Sequence, residues 1–202
     1  MIKNIIFDQG GVLVDYTPKE YLKSLGFDEL QVEKIFETVF TAPLWLELDR
    51  GTYRNKEAIE LYAKDHPELA KEIELVLTGS FDTMLSVRED SAEFLKELKK
   101  EGYNIYVLSN FSADGYDYIL PRFDYLNYVD EKVISAYVKM IKPNKDIYEY
   151  TVEKLGIVPE ESIFIDDLQE NLEPAKALGI HTVLFTTLDE VKAKVRGLLN
   201  EQ

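Results

Sequence analysis

Four short stretches of this 202-residue chain carry side chains that could do chemistry together. Asp8 ends the apolar run Ile5-Ile6-Phe7 and is followed by Gln9, Gly10 and Gly11. Ser109 and Asn110 end a second run, Lys142 stands just before Pro143, and Asp166-Asp167 end a third run with Asn171 close behind. Brought to one place, these stretches would assemble three carboxylates, a hydroxyl, an amide and one ammonium. Three carboxylates at one point repel one another and need a cation to hold them ionised; with oxygen donors and no His or Cys nearby, that cation should be Mg²⁺. A dianionic phosphate could then bridge Mg²⁺ and Lys142, with Ser109 and Asn110 donating to its remaining oxygens and the paired glycines leaving room for close backbone approach. One aspartate would be left facing phosphorus as a nucleophile, the covalent route open to carboxylates.

Open parallel sheets bind ligands beyond the carboxyl ends of their strands, so the elements must deliver each stretch to such an end. Residues 2–7, 104–108, 133–135, 162–165 and 181–185 are short, nearly continuous runs of β-branched and aromatic residues, the pattern of strands buried on both faces. Between them, 90–101 places Phe94, Leu95 and Leu98 at helical spacing and stops at Gly102, while 145–155 stops at Gly156 and 170–178 at Gly179. Pro143 suits the first turn of the second of these helices and would fix where Lys142 points. This rhythm predicts an α/β fold, a doubly wound parallel sheet with a Rossmann-like core. Residues 16–82 break the rhythm: they show no strand pattern but have helical stretches at 29–39 and 56–65. They read as a small helical cap inserted after strand 1, which leaves 1–15 and 83–202 as the core.

With these motifs in this order, the chain resembles the haloacid dehalogenase-like phosphohydrolases over essentially its full length. "FDQGGVL" is similar to the first motif of that superfamily, "VLSN" to the second, Lys142 in "IKPNKDIY" to the third and "FIDDLQENLEPAKALGI" to the fourth, with the helical insert at the position of the C1 cap. Within the superfamily the chain looks most like the bacterial α-glucose-1-phosphate phosphatase group and its epoxide-hydrolase N-terminal-domain relatives, and "LDRGTY" at 48–53 resembles a cap element of that group. The resemblance implies that Asp8 is the nucleophile and a metal ligand, that Gly10 lends its backbone carbonyl to the metal, and that Asp167 or Asp166 completes the coordination. It also implies that Ser109, Asn110 and Lys142 bind the transferring phosphoryl group, with Lys142 offsetting the repulsion between nucleophile and target.

The first motif departs from the usual Asp-x-Asp, because Gly10 stands where the second aspartate protonates the leaving alkoxide and then activates water. General acid-base help is worth about 10² to 10⁴-fold in rate. Its loss favours a substrate with an activated leaving group, such as a sugar 1-phosphate, and makes Asp15 a candidate substitute acid. In the insert, Arg50 is a candidate substrate contact, with Trp45 and Tyr53 weaker ones. Asn171 and Glu170 read as supports of the helix that begins there, and His66 and His181, without a second His or Cys nearby in sequence, as structural.

The net charge of -15, from 23 basic and 38 acidic residues, repels polyanions and argues against a nucleic-acid partner. The absence of cysteine removes thiolate chemistry and disulfides. The N-terminal residues lack a signal-peptide h-region, and no apolar run approaches a membrane span, so a cytoplasmic protein without a membrane partner is expected, acting as a monomer or homodimer. The resulting expectation is a Mg²⁺-dependent phosphatase for a small phosphorylated metabolite. The alternatives are a non-catalytic binding protein of the same fold, and a haloacid dehalogenase, against which the acidic pair Asp166-Asp167 argues.

Overall fold

The computed structural model describes residues 1–200. Ile5, Ile6 and Phe7 offer no polar side chain to solvent, and the strand they form, β1 (Asn4–Phe7), is buried along its length. The chain then makes a tight turn, in which the N–H groups of Leu13 and Val14 both reach Gln9 O at 2.8 Å, and runs as β2 (Val14–Tyr16). Five helices follow: α1 (Pro18–Ser24), α2 (Glu29–Ile35), α3 (Pro43–Asp49), α4 (Asn55–Asp65) and α5 (Ala70–Thr78). β3 (Leu85–Val87) returns antiparallel to β2, with Val14 opposite Val87. The remainder alternates: α6 (Glu89–Lys100), β4 (Asn104–Ser109), α7 (Ala113–Ile119), β5 (Glu131–Ile134), α8 (Ser135–Val138), α9 (Lys145–Leu155), β6 (Ser162–Asp166), α10 (Gln169–Ala177), β7 (His181–Leu184) and α11 (Leu188–Asn200).

The sheet order is β5-β4-β1-β6-β7, parallel throughout. The chain builds outward from β1 through β4 to β5, then crosses back to β6 and β7 on the other side. The winding therefore reverses at β1, and the crevice beyond the carboxyl end of that strand is where such sheets bind ligands. All five expected strands are present, together with the helical runs between them. Three details differ from the sequence expectation. β5 begins at Glu131 rather than 133, because Glu131 and Lys132 extend the parallel pairing with β4 although neither is apolar. Pro143 lies outside α9, whose N-cap is Asn144. The β2/β3 ribbon was not legible, since strands of three residues are too short to establish an alternation.

From the five helices between β2 and β3, Tyr21, Val32, Ile35, Leu48, Tyr62 and Ile73 are buried in one cluster that continues through Val12 and Leu13 to Ile5 and Phe7 of β1. Two hydroxyls in it are satisfied by backbone: Tyr21 donates to Val76 O and Tyr62 to Val39 O, each at 2.8 Å. α2 starts with a capping box, in which Asp28 accepts the Gln31 N–H at 2.9 Å while Gln31 accepts the Asp28 N–H at 3.1 Å. It runs on into a π-helical turn, Phe36–Phe40, and Phe40 leads to Trp45 through a ring contact of 4.7 Å between centroids. No helix among the described residues is long and apolar enough to cross a membrane.

The turn that leaves α3 is clamped to the core. Asp49 O accepts from the Ser135 hydroxyl at the start of α8, and Gly51 O accepts from Nζ of Lys139. Gly51 has φ +75°, and a Cβ there would stand 2.1 Å from Ala136 O, a backbone atom that cannot swing away. Gly51→Ala should therefore lower stability by about 1–3 kcal/mol, through left-handed strain and the displaced α8 contact, in urea titrations against wild type.

Candidate active site

Asp8 is delivered by β1, Asp166 and Asp167 by β6, and Lys142 by the loop between α8 and α9, so the four meet at the switch point of the sheet. The Lys142 side chain is almost wholly buried and its Nζ lies 2.9 Å from Asp8 Oδ1 and 2.6 Å from Asp166 Oδ2, and donates to Leu108 O at 3.1 Å. Asp166 is held from the other side as well. The Leu168 N–H reaches its Oδ1 at 2.9 Å, and the Asn171 amide reaches its two oxygens at 3.0 and 3.1 Å. Asn171 thus does more than support α10: it fixes the carboxylate that fixes the lysine.

Asn110 makes a reciprocal pair with the Lys142 backbone, donating from Nδ2 to Lys142 O and accepting the Lys142 N–H at Oδ1, each at 2.9 Å. Its amide thus positions the lysine loop, while Asn110 also lines the cavity. The Ser109 hydroxyl is buried below it, 3.5 Å from Asn110 O. A cavity of about 480 Å³ opens above this floor, with Asp8, Lys142 and Asp167 at its base and Trp45, Phe81 and Phe111 among its apolar walls. Ser109 and Asp166 lie behind the lining rather than in it.

Two candidates take other places. Arg50 points away from the cavity lining, its Nε 3.3 Å from Glu47 Oε1 on the surface, because the helix turn that carries Trp45 inward carries position 50 outward. Asp15 does line the cavity, but its Oδ1 is engaged by Arg88 Nε at 2.6 Å. Sequence reasoning missed Asp49, the neighbour of Arg50, which lines the cavity from the end of α3. A signal was present: Trp45 and Asp49 are four residues apart and share one helix face, so the stripe that places one places the other.

A family model for haloacid dehalogenase-like hydrolases matches residues 2–179. The chain belongs to this family. It is 26% identical over 208 residues to the drimenol cyclase drtB of Aspergillus calidoustus, covering 98% of this chain but only 37% of that protein. It is also 26% identical to the D-ribitol-5-phosphate phosphatase of Bacteroides thetaiotaomicron, covering 90% of this chain and 91% of the relative. A HAD-family enzyme of B. thetaiotaomicron, solved in complex with magnesium and inorganic phosphate, superposes with a TM-score of 0.74 at 26% identity, covering 91% of this chain and 94% of that one.

The donor set of this hydrolase fits the magnesium ion found in that related structure. Asp8, Asp166 and Asp167 each offer a carboxylate oxygen, and those atoms lie within 4.8 Å of one another. Asp8 Oδ1 is buried, and its contact with Lys142 is an ion pair without a directed hydrogen bond, which leaves a lone pair for a cation. An all-oxygen set of hard donors is what Mg²⁺ selects. Electrostatics agree: burial pushes the Asp8 carboxyl up to about 6, with Lys142 opposing and Asp166 adding to the rise. Burial and then Asp166 also raise Asp167. Burial alone would lower the Lys142 ammonium, yet Asp8 and Asp166 hold it above its ordinary range. One ammonium is too little for three carboxylates. Gly11 sets the packing of the third, having φ +72° and a Cβ position only 2.2 Å from Asp167 Oδ2.

Asp49 is the other strained acid of the hydrolase. Burial pushes its carboxyl up to about 7, with the nearby Ser112 backbone N–H opposing the rise, and the phenols of Tyr16 and Tyr62 lie close to it. The folded protein therefore binds a proton here that the unfolded chain gives up near the ordinary value of 3.8, so stability falls as pH rises from about 4 to about 7. Asp49→Asn should flatten the wild-type slope over that window by at most about 1.4 kcal/mol per pH unit, read by urea titrations at several pH values.

Proposed function

We propose that this hydrolase is a Mg²⁺-dependent phosphatase for a small phosphorylated metabolite. The observation that carries this reading is the cluster of Asp8, Lys142 and Asp167 at the floor of one cavity, a base of both charge signs suited to a phosphate dianion and a divalent ion. The solved relative with magnesium and inorganic phosphate supports it, as does the relative named D-ribitol-5-phosphate phosphatase.

In this reading Asp8 is the nucleophile. Its carboxylate oxygen attacks phosphorus, the bond to the leaving-group oxygen breaks, and an aspartyl-phosphate forms on Asp8; water then attacks phosphorus, releasing inorganic phosphate and the free carboxylate. Lys142 lowers the repulsion between carboxylate and dianion. Asp166, whose oxygens are already occupied, positions Lys142, which leaves Asp8, Asp167 and the Gly10 carbonyl to hold the metal. Bound Mg²⁺ supplies positive charge to the phosphoryl oxygens and keeps the carboxylates ionised. We take residues 16–82 as a cap whose helices exclude bulk water from the aspartyl-phosphate. The mixed apolar and polar walls suit a small organic phosphate; sugar phosphates, and sugar 1-phosphates first, are the class to test.

The decisive assay is release of phosphate from α-glucose 1-phosphate, glucose 6-phosphate and para-nitrophenyl phosphate, with Mg²⁺ or with EDTA. Turnover should require Mg²⁺, and Asp8→Asn should lower it by more than about 10³-fold in protein that melts normally. No turnover of any ester by folded protein would instead support a non-catalytic binding protein, and metal-independent halide release from a 2-haloacid would support a dehalogenase.

A further inference from the structure

A phosphatase of this kind needs a proton for the departing alkoxide, and position 10 has no side chain to give one. A Cβ built at Gly10 would meet nothing within 4 Å, so the space a second aspartate would fill is open. Another acid must reach the leaving-group oxygen across that space, or the leaving group must depart unaided.

The ionisable groups that line the cavity can be taken in turn. Asp8 and Asp167 belong to the nucleophile and metal positions. Lys142 is fixed between Asp8 and Asp166, and Asp15 is engaged by Arg88. The Tyr16 phenol, held above its ordinary range, is a far weaker acid than a carboxyl and supplies no base for the attacking water. Neither His66 nor His181 is in the lining. Asp49 remains.

Its placement is suited to the task. Asp49 ends α3, and its backbone carbonyl accepts from the Ser135 hydroxyl, which in turn accepts the Phe111 N–H at 2.9 Å. Its carboxyl lies near the Ser112 N–H, which opposes the effect of burial on it. Ser112 lies three residues beyond the end of β4, the strand beside β1, and two beyond the Asn110 that holds Lys142. The backbone of Asp49 is thus tied to Ser135 after β5, its carboxyl lies close to the loop after the strand next to β1, and the residue lines the same cavity as Asp8 from the helices between β2 and β3. Among the described residues no ammonium or guanidinium forms an ion pair with it.

We propose that Asp49 is the general acid and base of this enzyme, supplying from the cap the proton transfer that Gly10 cannot supply from the floor. The proposal rests on the phosphatase reading above. As Asp8 attacks phosphorus, the electron pair of the breaking P–O bond passes to the leaving-group oxygen, which takes the Asp49 proton and departs as an alcohol. In the second step the Asp49 carboxylate takes a proton from the attacking water while the P–O bond to Asp8 breaks, which restores both aspartates. The raised affinity of Asp49 for its proton leaves a substantial share of the group protonated near neutral pH, and general acid-base groups work best when so poised. Ordinary alkyl phosphates then fall within the reach of the site as well as activated esters.

The test is kcat/KM, which reports the steps through release of the alcohol, for a series of aryl phosphates from para-nitrophenyl to phenyl and para-methoxyphenyl phosphate. In the wild type, kcat/KM should vary by less than about tenfold across the series, because the acid compensates for poorer leaving groups. Asp49→Asn should lose about 10² to 10³-fold on phenyl phosphate but less than about fivefold on para-nitrophenyl phosphate, while kcat falls on both through loss of the base. Gly10→Asp in the Asp49→Asn background should recover at least about tenfold of the phenyl phosphate activity. A loss of equal size on every ester would show that Asp49 only positions the cap or binds substrate, and would overturn the proposal. So would a wild-type dependence steeper than about 10³-fold across the series, a result that needs no variant to fold. Wild-type protein that turns over no ester would instead overturn the phosphatase reading, and this proposal with it.

Discussion

A single buried ammonium between two carboxylates holds this structure to its plan. Taking Lys142, Asp8 and Asp166 out of water costs several kcal/mol per charge, and the attraction among them recovers that cost only if the geometry is close and the remaining lone pairs are satisfied. The surroundings meet both conditions. Leu108 O takes one lysine proton, the Leu168 N–H and the Asn171 amide fill the far side of Asp166, and Asn110 grips the lysine backbone at both its N–H and its carbonyl. The cluster still carries more negative than positive charge, and the excess falls on Asp8 and Asp167, the two carboxylates that face the cavity. The imbalance is what makes the site a receptor for a divalent cation rather than a closed structural ion pair.

The same constraint explains the sheet. A strand can bring a carboxylate to a buried point only if its own backbone is paired on both sides, and β1 achieves that by sitting between β4 and β6. The reversal of winding at β1 then leaves the crevice open beyond it, because the crossover helices diverge to opposite faces. Burial beneath the helices between β2 and β3 lowers the local polarizability that would otherwise screen these charges, which strengthens the pairs on the floor and raises Asp49 by the same effect.

Much of this was legible in residue types. Ile5-Ile6-Phe7, Ile105 to Leu108 and Ile163 to Ile165 are apolar on both faces, and only a doubly covered parallel strand explains such runs, so the carboxylates after them had to lie at strand tips. What was not legible has specific causes. The β2/β3 ribbon has three residues a side and owes its existence to pairing, not to propensity. Asn110 was assigned to the ligand because an amide at a strand tip suits a phosphate; that the Lys142 backbone would take both ends of it depends on a loop more than thirty residues away. Arg50 drew attention by charge, while Asp49 beside it was passed over. The pattern of α3, with Leu48 buried and Trp45 and Asp49 on one face, decides between them, and it needs the helix bounds that Pro43 alone suggests.

Where the proton donor stands has a consequence for how the two parts of the chain work together. A side chain at position 10 would be placed by β1 and the turn after it, entirely within the core, and would be available however the cap sat. Asp49 is placed by α3 and its backbone carbonyl is held by Ser135, so its position depends on the contact between α3 and α8, which Gly51 and Lys139 also set. On the proposal above, an acid carried in this way takes its place from the contact between α3 and α8, and the same helices cover the floor charges. On that proposal, proton transfer and exclusion of water depend on one set of contacts, and with a glycine at position 10 the α3 turn would belong to the active site rather than only cover it.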